Sequence, residues 1–390
     1  MVSRAMPQTA KIREARPEAS RAIVEPLLES AGIRIDGPNP WDLQVLDARF
    51  YDRVLAHGTL GLGESYVEGW WDCEALDEMV ERALRHGLKQ HAMTWRNRLA
   101  VARLLFLNLQ SIRRSREVAE VHYDLGNEFF ARMLGPTMTY TCGYWPAAAT
   151  LDEAQDRKHD LVCDKLRLQR THRLLDIGCG WGRLLAHAHR RTGCEGLGVT
   201  LSEPQWRHAT ETSRGLPITF SQVDYRDGSV DARGPFDRIV SCGMFEHVGA
   251  KNVRAFFARV SELLADDGLL LLHTMGNRTT TGVDPWIDRY IFPNSSVPCA
   301  RDLAKGFEGL FVLEDWHVFG DDYDRTLMAW ARNFEEYARS PEFPFDRKFY
   351  RTWRYYLYSF AGSFRARNAL QLWQLVLSKN GTSGGYRSVR

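Results

Sequence analysis

Residues 173–182 read Arg-Leu-Leu-Asp-Ile-Gly-Cys-Gly-Trp-Gly, and this run constrains the fold more than any other. A short apolar strand containing one acid, Asp176, opens directly into glycines at 178, 180 and 182. Glycine adopts positive φ without steric penalty, and it leaves no Cβ between the backbone and a ligand. Such a turn belongs at the carboxyl end of a strand in an α/β sheet, where ligands bind. An ordinary tight turn is the alternative reading. The repetition favours a cradle.

The chain from about 120 onward alternates strands and helices. Strand candidates are 174–177, 196–199, 218–222, 236–241 and 269–273, and helical candidates are 183–192, 203–214 and 252–265. This alternation predicts a mostly parallel sheet with helices on both faces. The glycine spacing is G-x-G-x-G, with Arg183 next, and not the G-x-G-x-x-G of dinucleotide sites. It favours S-adenosylmethionine.

Composition narrows the class. At 390 residues the chain can hold two or three domains with ample core, and 44% hydrophobic with 26% charged residues is globular usage. A net charge of +2 argues against a polyanion binder, so no nucleic-acid partner is expected. No apolar run approaches the roughly 18 residues needed to span a bilayer. Seven cysteines (73, 142, 163, 179, 194, 242, 299) show neither CxxC nor zinc spacing. They are expected as reduced thiols in a cytoplasmic protein, with no metal site.

The chain divides into three zones. Residues 1–20 are expected to be a disordered tail, and residues 21–116 an N-terminal unit of short helices and turns. Its last part, Arg85–Arg116, carries seven Arg, one Lys and no acid, with Trp95, Leu99, Ala102, Phe106 and Leu109 at helical spacing. A basic amphipathic helix of this kind lies on an anionic membrane surface, each basic residue adding about 1 kcal/mol. It can equally pack on its own domain with a solvated basic face. Residues 117–390 carry the α/β pattern, with an aromatic, helix-rich segment at about 325–377.

Polar residues gather at the predicted strand ends. Thr200 and Gln205 follow the second strand, where nucleotide folds hold ribose hydroxyls; Asp224 and Tyr225 follow the third, offering an acceptor and a flat ring to adenine. Glu246 and His247 follow the fourth, as a helix cap and an interior histidine or as chemistry. His273 ends the fifth. A lone histidine there is commonly structural, but four strand ends meeting at one edge weigh against that. Upstream, His122–Asn127 and Tyr140–Trp145 either cover the sheet or join the site. Cys142 has no Cys/His/Asn protease framework and suits a pocket contact.

Together these segments resemble the cyclopropane-fatty-acyl-phospholipid synthases, relatives of the mycolic acid cyclopropane synthases. The resemblance runs in order through LGLGESY, GWW, HYDLGN, TYTCGYW, LDIGCGWG, GVTLS, DYRD, GMFEHVG, LLHTMG, VDPWI, YIFPN, EDWH and LQLW. It implies a Rossmann-like class I methyltransferase domain, α/β with a seven-stranded, mostly parallel sheet, preceded by a smaller, mainly helical N-terminal domain. The implied reaction transfers the methyl of S-adenosylmethionine to a cis double bond in an acyl chain of a membrane phospholipid. Loss of a proton then closes a cyclopropane ring.

By motif match, a bound bicarbonate is the base, held by Cys142, Glu246, His273, Tyr323 and the backbone at Met275. The same match puts S-adenosylmethionine on Gly178, Gly180 and Gly182, under Tyr140 and Thr141. Thr200 and Gln205 serve its ribose, and Asp224 and Tyr225 its adenine. The resemblance further implies a homodimer attached peripherally to the inner face of the membrane. The chain departs from the family pattern at Arg183, Thr141, Gly143 and Met275, and none of these removes a functional group. Two other readings exist. A methyltransferase that stops at methylating a lipid or small amine would lack the bicarbonate constellation. A non-catalytic lipid-binding protein would not need Glu246 or His273.

Overall fold

The computed structural model describes residues 17–88 and 125–390. Residues 1–16 of the expected 1–20 tail, 89–116 of the 85–116 basic stretch and His122–Asp124 lie outside the described residues. Residues 17–20 open the first helix instead of continuing a tail. Among the described residues, four helices form the N-terminal part: α1 (Pro17–Ser30), α2 (Arg49–His57), α3 (Thr59–Val67) and α4 (Leu76–Arg85). Then come α5 (Asn127–Leu134), α6 (Leu151–Lys165), α7 (Arg183–Thr192), α8 (Glu203–Thr212) and α9 (Val253–Leu263). After these lie α10 (Pro285–Tyr290), α11 (Ala300–Phe307), α12 (Asp322–Arg339) and α13 (Arg347–Ala366).

The central sheet has β1 (Arg173–Ile177), β2 (Glu195–Val199), β3 (Ile218–Ser221), β4 (Phe236–Cys242) and β5 (Leu264–Gly276) in parallel. Two further strands, β6 (Val312–Phe319) and β7 (Gln371–Ser378), complete it. The order across the sheet is β6-β7-β5-β4-β1-β2-β3, and β7 runs antiparallel to both neighbours. The chain builds outward from β1 in one direction, then returns to β4 on the other side. That reversal leaves a crevice outside the carboxyl ends of β1 and β4.

The five parallel strands match the strand candidates, and β6 and β7 complete the seven-stranded, mostly parallel sheet that the resemblance implied. All of β7 but Gln371 is buried, so its sequence shows no polar–apolar alternation. It also follows directly on the aromatic helices, and so 371–377 is strand where a helix-rich segment was expected. Local chemistry sets the helix ends. Thr150 and Glu153 form a reciprocal capping box at the start of α6. Left-handed Gly182 and Gly193 bracket α7.

The described N-terminal helices share one hydrophobic core with α12 and α13, in which Phe50, Tyr66 and Trp71 pack with Trp330, Trp353 and Tyr356. Arg351 of α13 is buried at this junction. It donates to the carbonyls of Tyr66 (2.6 Å) and Trp71 (2.8 Å) and to the Asp72 carboxylate (3.1 Å). Closer still is the crossing of α13 over α4 at Gly362, where an added Cβ would sit 2.2 Å from the Asp77 carbonyl oxygen. Backbone cannot yield as a side chain can. Gly362→Ala should therefore lower unfolding free energy by about 1–3 kcal/mol, read as a reduced urea midpoint at unchanged slope.

Candidate active site

The crevice between β1 and β4 is a cavity of about 200 Å³. Gly178, Gly180 and Gly182 stand at φ of 83°, 54° and 82°, in the left-handed region. A Cβ on Gly178 would come within 2.6 Å of the Met244 side chain, which follows β4. Gly178 and Gly180 line the cavity together with Tyr140, Thr141, Thr200, Gln205, Asp224 and Tyr225. Gly182 does not line it; it shapes the turn as the N-cap of α7. The Thr200 hydroxyl donates to the Gln205 side-chain oxygen at 3.0 Å. Asp224 is clasped by Arg226 through two bonds of 2.7 Å.

Sequence reasoning assigned no role to three buried polar groups that line the same cavity: Lys158, His159 and Asp176. The Lys158 ammonium donates to Thr141 Oγ1 at 3.0 Å, and Gln155 donates to the Thr141 carbonyl at 2.8 Å. One face of α6 thereby fixes the cavity wall at Thr141. The signal was available, since Gln155 and Lys158 lie three apart among the apolar residues Ala154, Leu161 and Val162. Asp176 Oδ1 has no hydrogen-bond partner, and burial pushes this carboxyl up to about 7 against the pull of Lys158.

A second, smaller cavity of about 50 Å³ adjoins the first, sharing Tyr140, Thr141, Gly243, His247 and Phe292. It brings Glu246, His273, Tyr323 and Met275 together. Glu246 Oε1 accepts from the Met275 N–H (2.6 Å) and from the Thr274 hydroxyl (3.1 Å), while Oε2 has no partner. Burial raises its carboxyl, and the Met275 N–H opposes that rise. His273 Nδ1 lies 3.2 Å from the side-chain nitrogen of Gln374 on β7, and its Nε2 has no partner. The Gln374 amide thereby holds the ring through Nδ1 and leaves Nε2 to a ligand. Burial and the charges of Lys158 and Lys165 hold the ring neutral. A carboxylate oxygen and an imidazole nitrogen are thus both left unsatisfied beside one cavity, which is the signature of a polar ligand site.

Two expected contacts differ. Cys142 does not line this cavity; it is fully buried, and its thiol donates to the Gly143 carbonyl at 3.1 Å. The reason is Thr326 of α12, whose hydroxyl accepts from the Gly143 N–H and the Trp145 indole and draws that loop inward. The Met275 N–H is committed to Glu246. Gln374 was missed because it lies on the strand that the sequence pattern concealed.

Sheet order, glycine turn and cavity define a class I S-adenosylmethionine-dependent methyltransferase. The family model described as mycolic acid cyclopropane synthetase matches residues 110–375. The cyclopropane-fatty-acyl-phospholipid synthase of Escherichia coli K12 is 46% identical over 372 residues, 94% of this chain and 95% of that one. Among solved structures, the cyclopropane synthase MmaA2 from Mycobacterium tuberculosis is 31% identical at a TM-score of 0.63, covering 70% of this chain and all of that one. The mycolic acid cyclopropane synthase CmaA1, complexed with SAH and CTAB, is 29% identical at a TM-score of 0.60, covering 68% and 98%. This chain belongs to the cyclopropane synthase family.

Asp176 gives a pH signature. Its folded pKa, about 7, lies above the roughly 3.9 of an unfolded aspartate. The proton it retains therefore stabilises the ligand-free fold fully below that lower value, and the contribution is lost as pH rises through about 7. Asp176→Asn should flatten the fall in urea midpoint between acid and neutral pH. An unchanged profile would contradict the assignment.

Proposed function

We propose that the chain adds a methylene from S-adenosylmethionine across the cis double bond of an unsaturated acyl chain in a membrane phospholipid, with a bound bicarbonate as base. One observation carries this reading: three cavities stand in series. The polar cavity borders the cofactor cavity on one side. On the other it shares Met275, Val283, Val297 and Phe360 with a third cavity of about 260 Å³. That third cavity is walled by Leu28, Val54 and Val80 of the N-terminal helices and by Tyr355 of α13. An apolar passage ending at a polar pocket beside a methyl donor suits a long acyl chain with one reactive unsaturation.

The N-terminal wall bears on the substrate. Its helices precede the matched family segment, yet most of them must fall within the 94% of the chain aligned with the E. coli synthase. That supports a phospholipid acyl chain. Gly178 and Gly180 would admit the cofactor against the backbone, with Thr200 and Gln205 at its ribose, Asp224 and Tyr225 at its adenine, and Tyr140 and Thr141 at its methionine end. The cofactor supplies an electrophilic methyl, and the wall that Lys158 fixes at Thr141 aligns it with the alkene.

Methylation leaves a cation on the acyl chain. Tyr140, Phe292, Tyr356 and Phe360 line the polar cavity, where rings exclude water and face positive charge favourably. His273 would hydrogen-bond to the bicarbonate through Nε2, and Glu246 Oε2 would share a proton with it. Bicarbonate supplies the base that accepts the proton as the ring closes. Tyr323 would orient it. Cys142 would act only through the backbone of its loop. Attachment of the 85–116 stretch to an anionic inner leaflet, cytoplasmic location and homodimerisation extend the same proposal.

Incubation with S-adenosylmethionine and vesicles of cis-unsaturated phospholipid should yield a lipid heavier by one CH₂ and lacking the olefin, read by mass spectrometry. A product that keeps its alkene would overturn the reading. Glu246→Gln should cut turnover by about 100-fold or more while S-adenosylhomocysteine affinity holds. Ala83→Phe, which fills the apolar passage, should raise the KM for phospholipid without changing that affinity. Loss of affinity in either variant would place these residues elsewhere in the mechanism.

A further inference from the structure

Beside the cofactor cavity, α6 and α7 bring together a set of side chains that the proposed reaction does not use. Asp156 and His159 are three residues apart on α6, and His187 faces them from α7. One candidate ligand atom from each lies within 4.8 Å of the others. The two imidazole rings are 5.3 Å apart at centroid, tilted by 48°. His159 is only 1% exposed, and its Nδ1 has no hydrogen-bond partner. A buried ring nitrogen left unpaired is rare enough to need an explanation. His187 has the other half of a metal-ligand arrangement. Its Nε2 meets Asp160 at 2.9 Å, which fixes the ring and leaves Nδ1 toward Asp156, 3.7 Å away. Carboxylates behind ligating histidines orient the ring and raise its basicity in this way.

We propose that Asp156, His159 and His187 bind a divalent transition metal of the zinc class. Two imidazoles, one carboxylate and a water complete a tetrahedral set of the kind that zinc and cobalt accept. Burial and the nearby charges of Lys158, Arg183 and Arg190 keep His159 neutral, the form that ligates. The ligand atoms must close from 4.8 Å to the roughly 3.3 Å edge of a tetrahedral zinc site. Lys158, Arg183 and Arg190 oppose the metal by charge, and of these Arg183 holds Asp156 directly at 2.9 Å. Its side chain is 34% exposed and can turn to solvent when the carboxylate is taken. His159 and Arg183 both line the cofactor cavity, so the metal would clamp α6 to the helix that follows the glycine turn. The site rests on these residues and is independent of the lipid chemistry proposed above.

The test uses the full chain, stripped with a chelator and titrated with Zn²⁺ and with Co²⁺. One equivalent should bind, and the cobalt form should show d–d absorption without a thiolate charge-transfer band, which excludes the seven cysteines. Asp156→Asn and His187→Ala should each weaken binding about tenfold or more. Asp156 is half-exposed, so its isosteric replacement keeps the test clear of misfolding, checked by circular dichroism. Failure to bind one equivalent, a thiolate band, or affinity unchanged in Asp156→Asn would each overturn the site.

Discussion

The structure depends on one backbone constraint, the meeting of the glycine turn after β1 with the segment after β4. There Gly178 passes so close to Met244 that no Cβ fits between them. This approach becomes possible because the strand order reverses between β1 and β4, leaving the crevice without a crossing connection. The other strand ends are arranged around that gap. Thr200, Asp224 and Gly243 come from three of them, and Tyr140–Thr141 closes over the crevice from outside the sheet.

The proposed chemistry falls where the molecule leaves polar atoms unsatisfied. Most buried polar groups in a folded chain find partners, because an orphan forfeits its hydration. Glu246 Oε2 and His273 Nε2 lack them, and each is held by a neighbour that satisfies its other atom: Met275 and Thr274 on one, Gln374 on the other. Such one-sided satisfaction preorganises a site, fixing orientation while leaving the working atom exposed to a ligand. The shared core of α2–α4 with α12 and α13 does comparable work for the apolar passage, since both walls of that passage belong to one packed body.

Much of this was legible in the sequence, and the omissions have physical causes. The parallel strands announce themselves as apolar runs punctuated by glycine, and Glu246, His273 and Tyr323 do meet in one cavity. Gln374 was not legible, because a strand buried on both faces shows no alternation and β7 follows a long aromatic helix pair. Lys158 carried a signal in its place beside Gln155 among apolar residues, outweighed by its type, since a lysine in a polar-looking helix is normally solvated. Cys142 turned away for a tertiary reason: Thr326, nearly two hundred residues later, holds its loop. No local pattern encodes that contact.

The central claim is that a proton leaves the transferred carbon at the cavity of Glu246 and His273. Methyl-deuterated S-adenosylmethionine tests it most directly. Mass spectrometry of the lipid product should find a CD₂ bridge, one deuterium having been removed as the ring closed. A product retaining the full CD₃ group would contradict the account and describe an enzyme that only methylates.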